Sequence, residues 1–283
     1  GDPGAGSYYL EAATDQLAQR AWDQFQELEA DGGLLSGVRN GRVQRRIEEI
    51  REERQREVDT RERVLVGTNH YPNLDETRRD DLEDPPHFSP SNNSVPLDAP
   101  SLASFRTALS DGHSVSDLLA TLAEGNTTIE PLPRLRVSVT IEDIRLCMER
   151  HAAETGHPPT VFLAPLGPAK MRSARANFAR NVFGVAGFEV AKPLKFDSVE
   201  AAAKAAAEAD PDVVVLCSAD REYPELTPAL TSALRNHGLS PLLLVAGNPE
   251  KIDADLPADD FIHQGNLLRE KLESLQSRLG LTE

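Results

Sequence analysis

The sequence predicts an α/β protein: a doubly wound, five-stranded parallel sheet in the C-terminal part, preceded by helices and a long linker. Three observations carry this. From Thr160 onward, short apolar, β-rich runs alternate with helical segments, the pattern of buried parallel strands and their crossovers. Residues 1–72 instead show helical periodicity. Between them, from Asn73 to Ser101, the composition shifts to Asp, Glu, Pro, Ser and Asn, including Pro85-Pro86 and Ser91-Asn92-Asn93-Ser94, which reads as an extended linker.

The first helix is predicted over 14–31. Thr14 is its N-cap candidate, Leu17, Ala21, Phe25 and Leu28 recur at helical spacing beside Trp22, and Gly32-Gly33 ends it. A second, over 41–62, has a thin apolar seam of Val43, Ile47, Ile50 and Val58, with Glu52/Arg56 and Glu57/Arg61 as favourable i,i+4 pairs. Val64 to Val66 suggest a short strand, followed by a Gly67 to Pro72 turn. Two short helices, Leu102 to Leu109 and Val115 to Leu122, flank Ser110-Asp111-Gly112-His113, and one more lies before Arg150. The expected division is 1–72, a linker and helical collar over 73–159, and the α/β domain over 160–283.

In that domain the predicted strands are Val161 to Leu166, Phe188 to Val190, Val213 to Cys217, Leu242 to Ala246 and Phe261 to His263. The helices between and after them are Met171 to Ala186, Val199 to Ala209, Glu222 to Asn236 and Leu267 to Leu279. Asp197 with Glu200 forms a capping-box pattern, and Gly280 can terminate the last helix. Right-handed crossovers put helices on both faces and any ligand at the carboxyl strand ends, Gly167, Ser218, Gly247 and Gln264.

Composition excludes several classes. The formal charge of −16 disfavours nucleic acid and anionic membranes, and the nine Arg between Arg39 and Arg63 are interleaved with seven acids, which cancels most of their field. Cys147 and Cys217 make neither a disulfide scaffold nor a zinc site. No apolar run spans a bilayer, so a soluble, cytoplasmic protein is predicted, with no membrane and no nucleic acid among its partners. The absence of an initiator Met suggests that Gly1 marks a cut rather than a natural start.

One resemblance adds to this. Asp2-Pro3-x-x-Gly6-Ser7-Tyr8-Tyr9-x-Glu11-x-x-Thr14-Asp15, then Ala21-Trp22, Gly32-Gly33, Gly41, the Arg/Glu helix and the Gly67-x-Asn69-x-Tyr71 loop resemble the end of a methylmalonyl-CoA mutase barrel domain. The five-stranded terminal domain follows in that family's order and implies a cobalamin-binding-like, flavodoxin-like fold. In the family the first domain is a (β/α)₈ barrel enclosing the acyl-CoA. A barrel needs about 250 residues, so residues 1–72 correspond to a helical remnant of a barrel end, and the missing barrel portion is an implied partner.

The family's terminal domain binds cobalamin through Asp-x-His-x-x-Gly after its first strand, the His taking the cobalt's lower position and the Asp orienting it. Here Gly167-Pro168-Ala169-Lys170-Met171-Arg172-Ser173-Ala174 follows that strand, so the resemblance places Ala169, Met171 and Ser173 or Ala174 where the motif should be. The later corrin-contacting Ser and Gly-Gly positions read Cys217-Ser218 and Ala246-Gly247. This loss pattern resembles the small, non-catalytic subunit of bacterial heterodimeric methylmalonyl-CoA mutase. It implies no cofactor, metal or catalytic residue in this chain, with adenosylcobalamin and turnover in a large subunit.

Other signals are weaker. Asp111-Gly112-His113 copies half the cobalamin motif but follows a helix, and Ser114 or Ser116 capping the next helix explains it. Gly4-Ala5-Gly6 lacks a preceding strand. His151 and His157, read as exposed loop residues, have the wrong spacing for a helical zinc pair. Asp220 reads as an N-cap, and His263 lies near a strand end. Tyr8, Tyr9, Trp22 and Phe25 suit barrel packing or an interface. Two other functions stay open: a cobalamin-binding mutase chain with an unusual ligand set, and a stand-alone α/β binding module.

Overall fold

A computed structural model describes residues 2–76, 95, 97, 101–122, 129–132, 136–191, 195–252 and 255–281. Most of the predicted linker therefore lies outside the described residues. The chain forms two compact units, one from residues 1–48 and 79–133, the other from 49–78 and 134–283. Among the described residues no helix is long and apolar enough to cross a membrane.

The first unit is helical, with α1 (Tyr8–Ala30), α2 (Gly33–Arg39), the start of α3 (Arg42–Asp59), α4 (Leu102–Ser110) and α5 (Val115–Leu122). α1 starts earlier than predicted, because Gly6 in the left-handed region and the extended Ser7 turn the chain into it; Thr14 lies inside the helix. No α1 residue is buried, and Trp22 stacks on Phe25 at 5.4 Å between ring centres. Gly32 and Gly33, both left-handed, end α1 but also open α2, which the terminator reading missed. Ser101 and Ser104 form a capping box on α4. On α5 the cap is Ser114, which accepts the Asp117 N–H at 3.2 Å while Asp117 accepts the Ser114 N–H at 2.8 Å. The two helices cover a small cluster of Val95, Ala108 and Leu118.

The second unit holds β1 (Thr160–Pro165), β2 (Glu189–Val190), β3 (Val213–Cys217), β4 (Leu242–Val245) and β5 (Asp260–Phe261). They form one parallel sheet in the order β2-β1-β3-β4-β5, the flavodoxin-type doubly wound order. Strand residues alternate between two cores. Val161, Leu163, Val213, Val215, Cys217 and Leu244 meet α6 (Val139–Thr155), α7 (Ala169–Ala186) and α10 (Leu268–Arg278). Phe162, Ala164, Val214, Leu216, Leu243 and Val245 face α8 (Val199–Ala209) and α9 (Tyr223–Asn236). β3 is buried on both faces, which is why its run of β-branched and apolar residues has no polar alternation. α8 is mostly alanine, the best helix former, and its buried Ala202, Ala203 and Ala206 let it sit close to the sheet.

Several local readings need correction. The α8 cap is Ser198, whose side chain accepts the Ala201 N–H at 3.2 Å, not Asp197. Val64 to Val66 form no strand beyond an isolated Val66–His70 bridge. α3 stops at Asp59, and Arg61 takes a left-handed conformation. Glu57 therefore pairs with Arg63 at 2.7 Å, not with Arg61. The buried Asn69 ties this turn together: its Oδ1 accepts the Leu65 N–H at 2.8 Å, and its Nδ2 donates to the carbonyls of Val58 at 2.9 Å and Arg63 at 2.8 Å. His151 lies on α6, half-buried, and only His157 is an exposed loop residue.

Asp59 is 8 % exposed, with its Oδ1 accepting from Gln55 Nε2 at 3.0 Å. Burial pushes its carboxyl above the usual range; the Gln55 hydrogen bond and Arg269 offset part of this, and Glu273 and Glu270 add to it. A raised folded-state value means that the group's contribution is complete below the unfolded range and is lost as pH rises through the folded value. Asp59→Asn, which keeps the Gln55 acceptor, should therefore stabilise the protein at neutral pH and reduce the fall in stability with rising pH above the acid range. Urea denaturation followed by far-ultraviolet circular dichroism checks both.

Candidate functional site at the carboxyl edge of the sheet

Strand order reverses between β1 and β3, so the crevice beyond their carboxyl ends is where a doubly wound sheet binds a ligand. Here the chain is short. β1 is followed by Leu166, Gly167 and Pro168, and α7 begins at Ala169. Gly167 is left-handed at φ +77°, and its carbonyl accepts from Arg172 Nη1 at 3.1 Å. A Cβ at 167 would lie 2.6 Å from Ser218 Oγ and 2.7 Å from Glu222 Oε2, so the glycine is required by both backbone and space.

The four positions singled out in sequence fall in the first two turns of α7. Ala169, Ser173 and Ala174 are exposed and Met171 is half-buried. Ala169 and Ser173 share a helix face, but this stretch contains no imidazole or carboxylate. Among the described residues, no group of three or more His, Cys, Asp and Glu side chains could hold a metal ion.

The ends of β3 and β4 are stapled by a residue that sequence reasoning missed. Tyr223 is fully buried at the head of α9; its hydroxyl accepts the Ser218 N–H at 3.0 Å and donates to the Ala246 carbonyl at 2.6 Å. A Cβ on Gly247 would come within 2.9 Å of the Tyr223 ring and 2.5 Å of Ile252 Cδ1. Asp220 is not an N-cap. It lies in a 3₁₀ turn (Asp220–Glu222) and pairs with Arg175 of α7, Nη2 to Oδ1, at 2.8 Å. Nothing in the sequence pairs residues 45 positions apart, so this bond had no local signal. Ser218 Oγ is buried without a hydrogen-bond partner.

Burial pushes the Cys217 thiol and the Tyr223 hydroxyl up, so both are neutral near neutral pH. His263, in the turn after β5, sets its Nδ1 2.8 Å from the Gln264 carbonyl and its Nε2 3.0 Å from the Asn266 amide nitrogen. That arrangement fixes an Nδ1–H tautomer and accounts for the ring as a turn-forming group. The exposed His113 lies in the turn between α4 and α5.

The chain was compared with known proteins. The family model "Methylmalonyl-CoA mutase" matches residues 1–152. The methylmalonyl-CoA mutase small subunit of Porphyromonas gingivalis is 30% identical over 289 aligned positions, covering 99% of this chain and 39% of that protein. The small subunit of Streptomyces virginiae is 32% identical over 281, covering 99% and 38%. The methylmalonyl-CoA mutase of Escherichia coli K12 is 26% identical over 285, covering 87% and 40%. The chain thus spans about two fifths of the length of these relatives. Among solved structures, a cobalamin-binding protein from Desulfitobacterium hafniense DCB-2 aligns with a TM-score of 0.30 at 18% identity, covering 64% of this chain and 78% of that one.

Two substitutions test the closure of the edge. Tyr223→Phe removes both hydroxyl bonds and should cost about 1–3 kcal/mol. Gly167→Ala forces a left-handed alanine against Ser218 and Glu222 and should cost about 1–3 kcal/mol or more. Urea midpoints by circular dichroism read both.

Proposed function

The chain belongs to the methylmalonyl-CoA mutase family, and on that premise we propose that it is the C-terminal portion of a small, non-catalytic mutase subunit. Its partner is then a large subunit that carries adenosylcobalamin and interconverts methylmalonyl-CoA and succinyl-CoA, in a cytoplasmic heterodimer. This chain is inactive alone. Residues 1–72 are read as the end of the barrel domain, 73–159 as linker and collar, and 160–283 as a degenerate cobalamin-binding-like domain. The exposed aromatic face of α1 is read as packing against the remainder of the barrel.

The observation that carries this reading is the β1–α7 connection. Holding cobalt from below asks for an imidazole steadied by an acid. The stretch from Gly167 to Ala174 offers neither, only the side chains of Ala169, Met171, Ser173 and Ala174 at the motif positions. A thioether such as that of Met171 has no orienting carboxylate beside it in this stretch. Ser218 and Glu222 press against Gly167, and the Tyr223 ring lies against Gly247. The residues do not fit the group, so the chain's contribution is surface and not chemistry. The relatives named small subunits, matched over 99% of this chain, support the same reading.

The test mixes the full chain with cobalamin at stoichiometric concentration and, separately, co-expresses it with a large mutase subunit. A flat visible difference spectrum and co-elution on a sizing column are expected. A stoichiometric spectral shift would instead support a cobalamin-binding chain, and persistent separation a free-standing binding module.

A further inference from the structure

The loop after α3 contains two buried nitrogens that have no hydrogen-bond partner, Arg61 Nη2 and His70 Nδ1. They belong to one turn, because Arg61 Nε donates to the Asn69 carbonyl, next to His70, at 3.1 Å. The turn lies on α7 in the same compact unit. The Tyr71 N–H donates to Asn181 Oδ1 at 3.1 Å, and the Arg61 guanidinium sits 5.3 Å from the centre of the Phe178 ring. Further along, Pro72 and Leu74 lie so close to Gly184 that a Cβ there would meet them at 3.1 and 2.6 Å. Two non-glycine residues bracket the turn in left-handed conformations, Arg61 at φ +63° and Tyr71 at φ +51°. Such backbone persists only while surrounding contacts impose it.

The chemistry of the two orphaned nitrogens is complementary in one protonation state only. A guanidinium donates and never accepts. An imidazole nitrogen accepts only while it carries no proton, so neutral His70 can receive the Arg61 side through a bridging water. A proton added to Nδ1 of a ring already protonated at Nε2 turns the acceptor into a second donor and sets a second positive charge in the same turn. We propose that His70 is a proton-operated latch, holding the 61–74 turn on α7 when neutral and releasing it when charged.

The groups around the ring leave little to counter that charge. Arg61 is the charged group that acts on it, Tyr71 packs its ring at 4.0 Å, and the α7 contacts of the turn, Phe178 and Asn181, do not titrate. Arg63, the other cation of the turn, is paired with Glu57. Burial first, and Arg61 second, push the imidazole below its ordinary range. A lowered folded-state value gives stability that is present above the unfolded value, about 6.5 for histidine, and lost as pH falls through the folded value. The latch therefore opens toward acid.

The test follows amide hydrogen exchange of the full chain between about pH 7.5 and about pH 5, a span that contains the ordinary histidine range, after correction for intrinsic exchange. Peptides over 61–76 should exchange several-fold faster at the acid end, while those of β3 and α8 hold their protection. In His70→Gln, which cannot titrate, the acid response of those peptides should vanish whatever their absolute protection. A histidine NMR titration of the unmodified chain gives a second reading, with the loop opening at the pH where His70 itself gains its proton. An unchanged loop at acid pH, an acid response that survives His70→Gln, or opening at a pH where His70 does not titrate would each overturn the proposal.

Discussion

The carboxyl edge of the sheet depends on one constraint: the chain leaves β1 at Pro165 and is helical again by Ala169. Only a left-handed glycine can make that turn with Ser218 and Glu222 against it, and the proline that follows fixes the entry into α7. Ala169, Met171, Ser173 and Ala174 therefore lie in the first turns of a helix, all but the half-buried Met171 exposed. The rest of the edge closes accordingly, with Arg175 reaching from α7 to Asp220 and Tyr223 tying Ser218 to Ala246. At this edge the Gly167 carbonyl, the Ser218 N–H and the Ala246 carbonyl are all engaged by the protein's own side chains.

The sheet was legible because its physics is local. β3 reads as Val213 to Cys217 in sequence and structure alike, since burial on both faces leaves an unbroken apolar run. α8 matches over Val199 to Ala209 for the corresponding reason, alanine-rich periodicity between clear breaks. Caps and connections were less legible. Ser198 and Asp197 are adjacent capping residues, and only backbone geometry chooses between them. Gly32-Gly33 can end one helix or join two, and here it does both. Arg175 to Asp220 and Tyr223 to Ala246 join residues 45 and 23 positions apart, so Tyr223 looked like an ordinary helical residue and Asp220 like an ordinary cap.

The two units differ in what holds them. The sheet unit has two continuous cores, one on each face, and α6 belongs to the first through Ile141, Ile144 and Met148. The helical unit has a core cluster of only Val95, Ala108 and Leu118 among its described residues. Its longest helix buries nothing. Helices of eight or nine residues such as α4 and α5 are marginal by themselves. Among its described residues the helical unit is thus held by caps, a small cluster and side-chain bonds such as Gln44 to the Glu130 carbonyl, whereas the sheet unit is held by burial.

Trp22 is the single tryptophan of the chain, and it lies on α1, 56 % exposed. Indole emission therefore reports on the surroundings of that one helix. A blue shift would signal something settling over the helix.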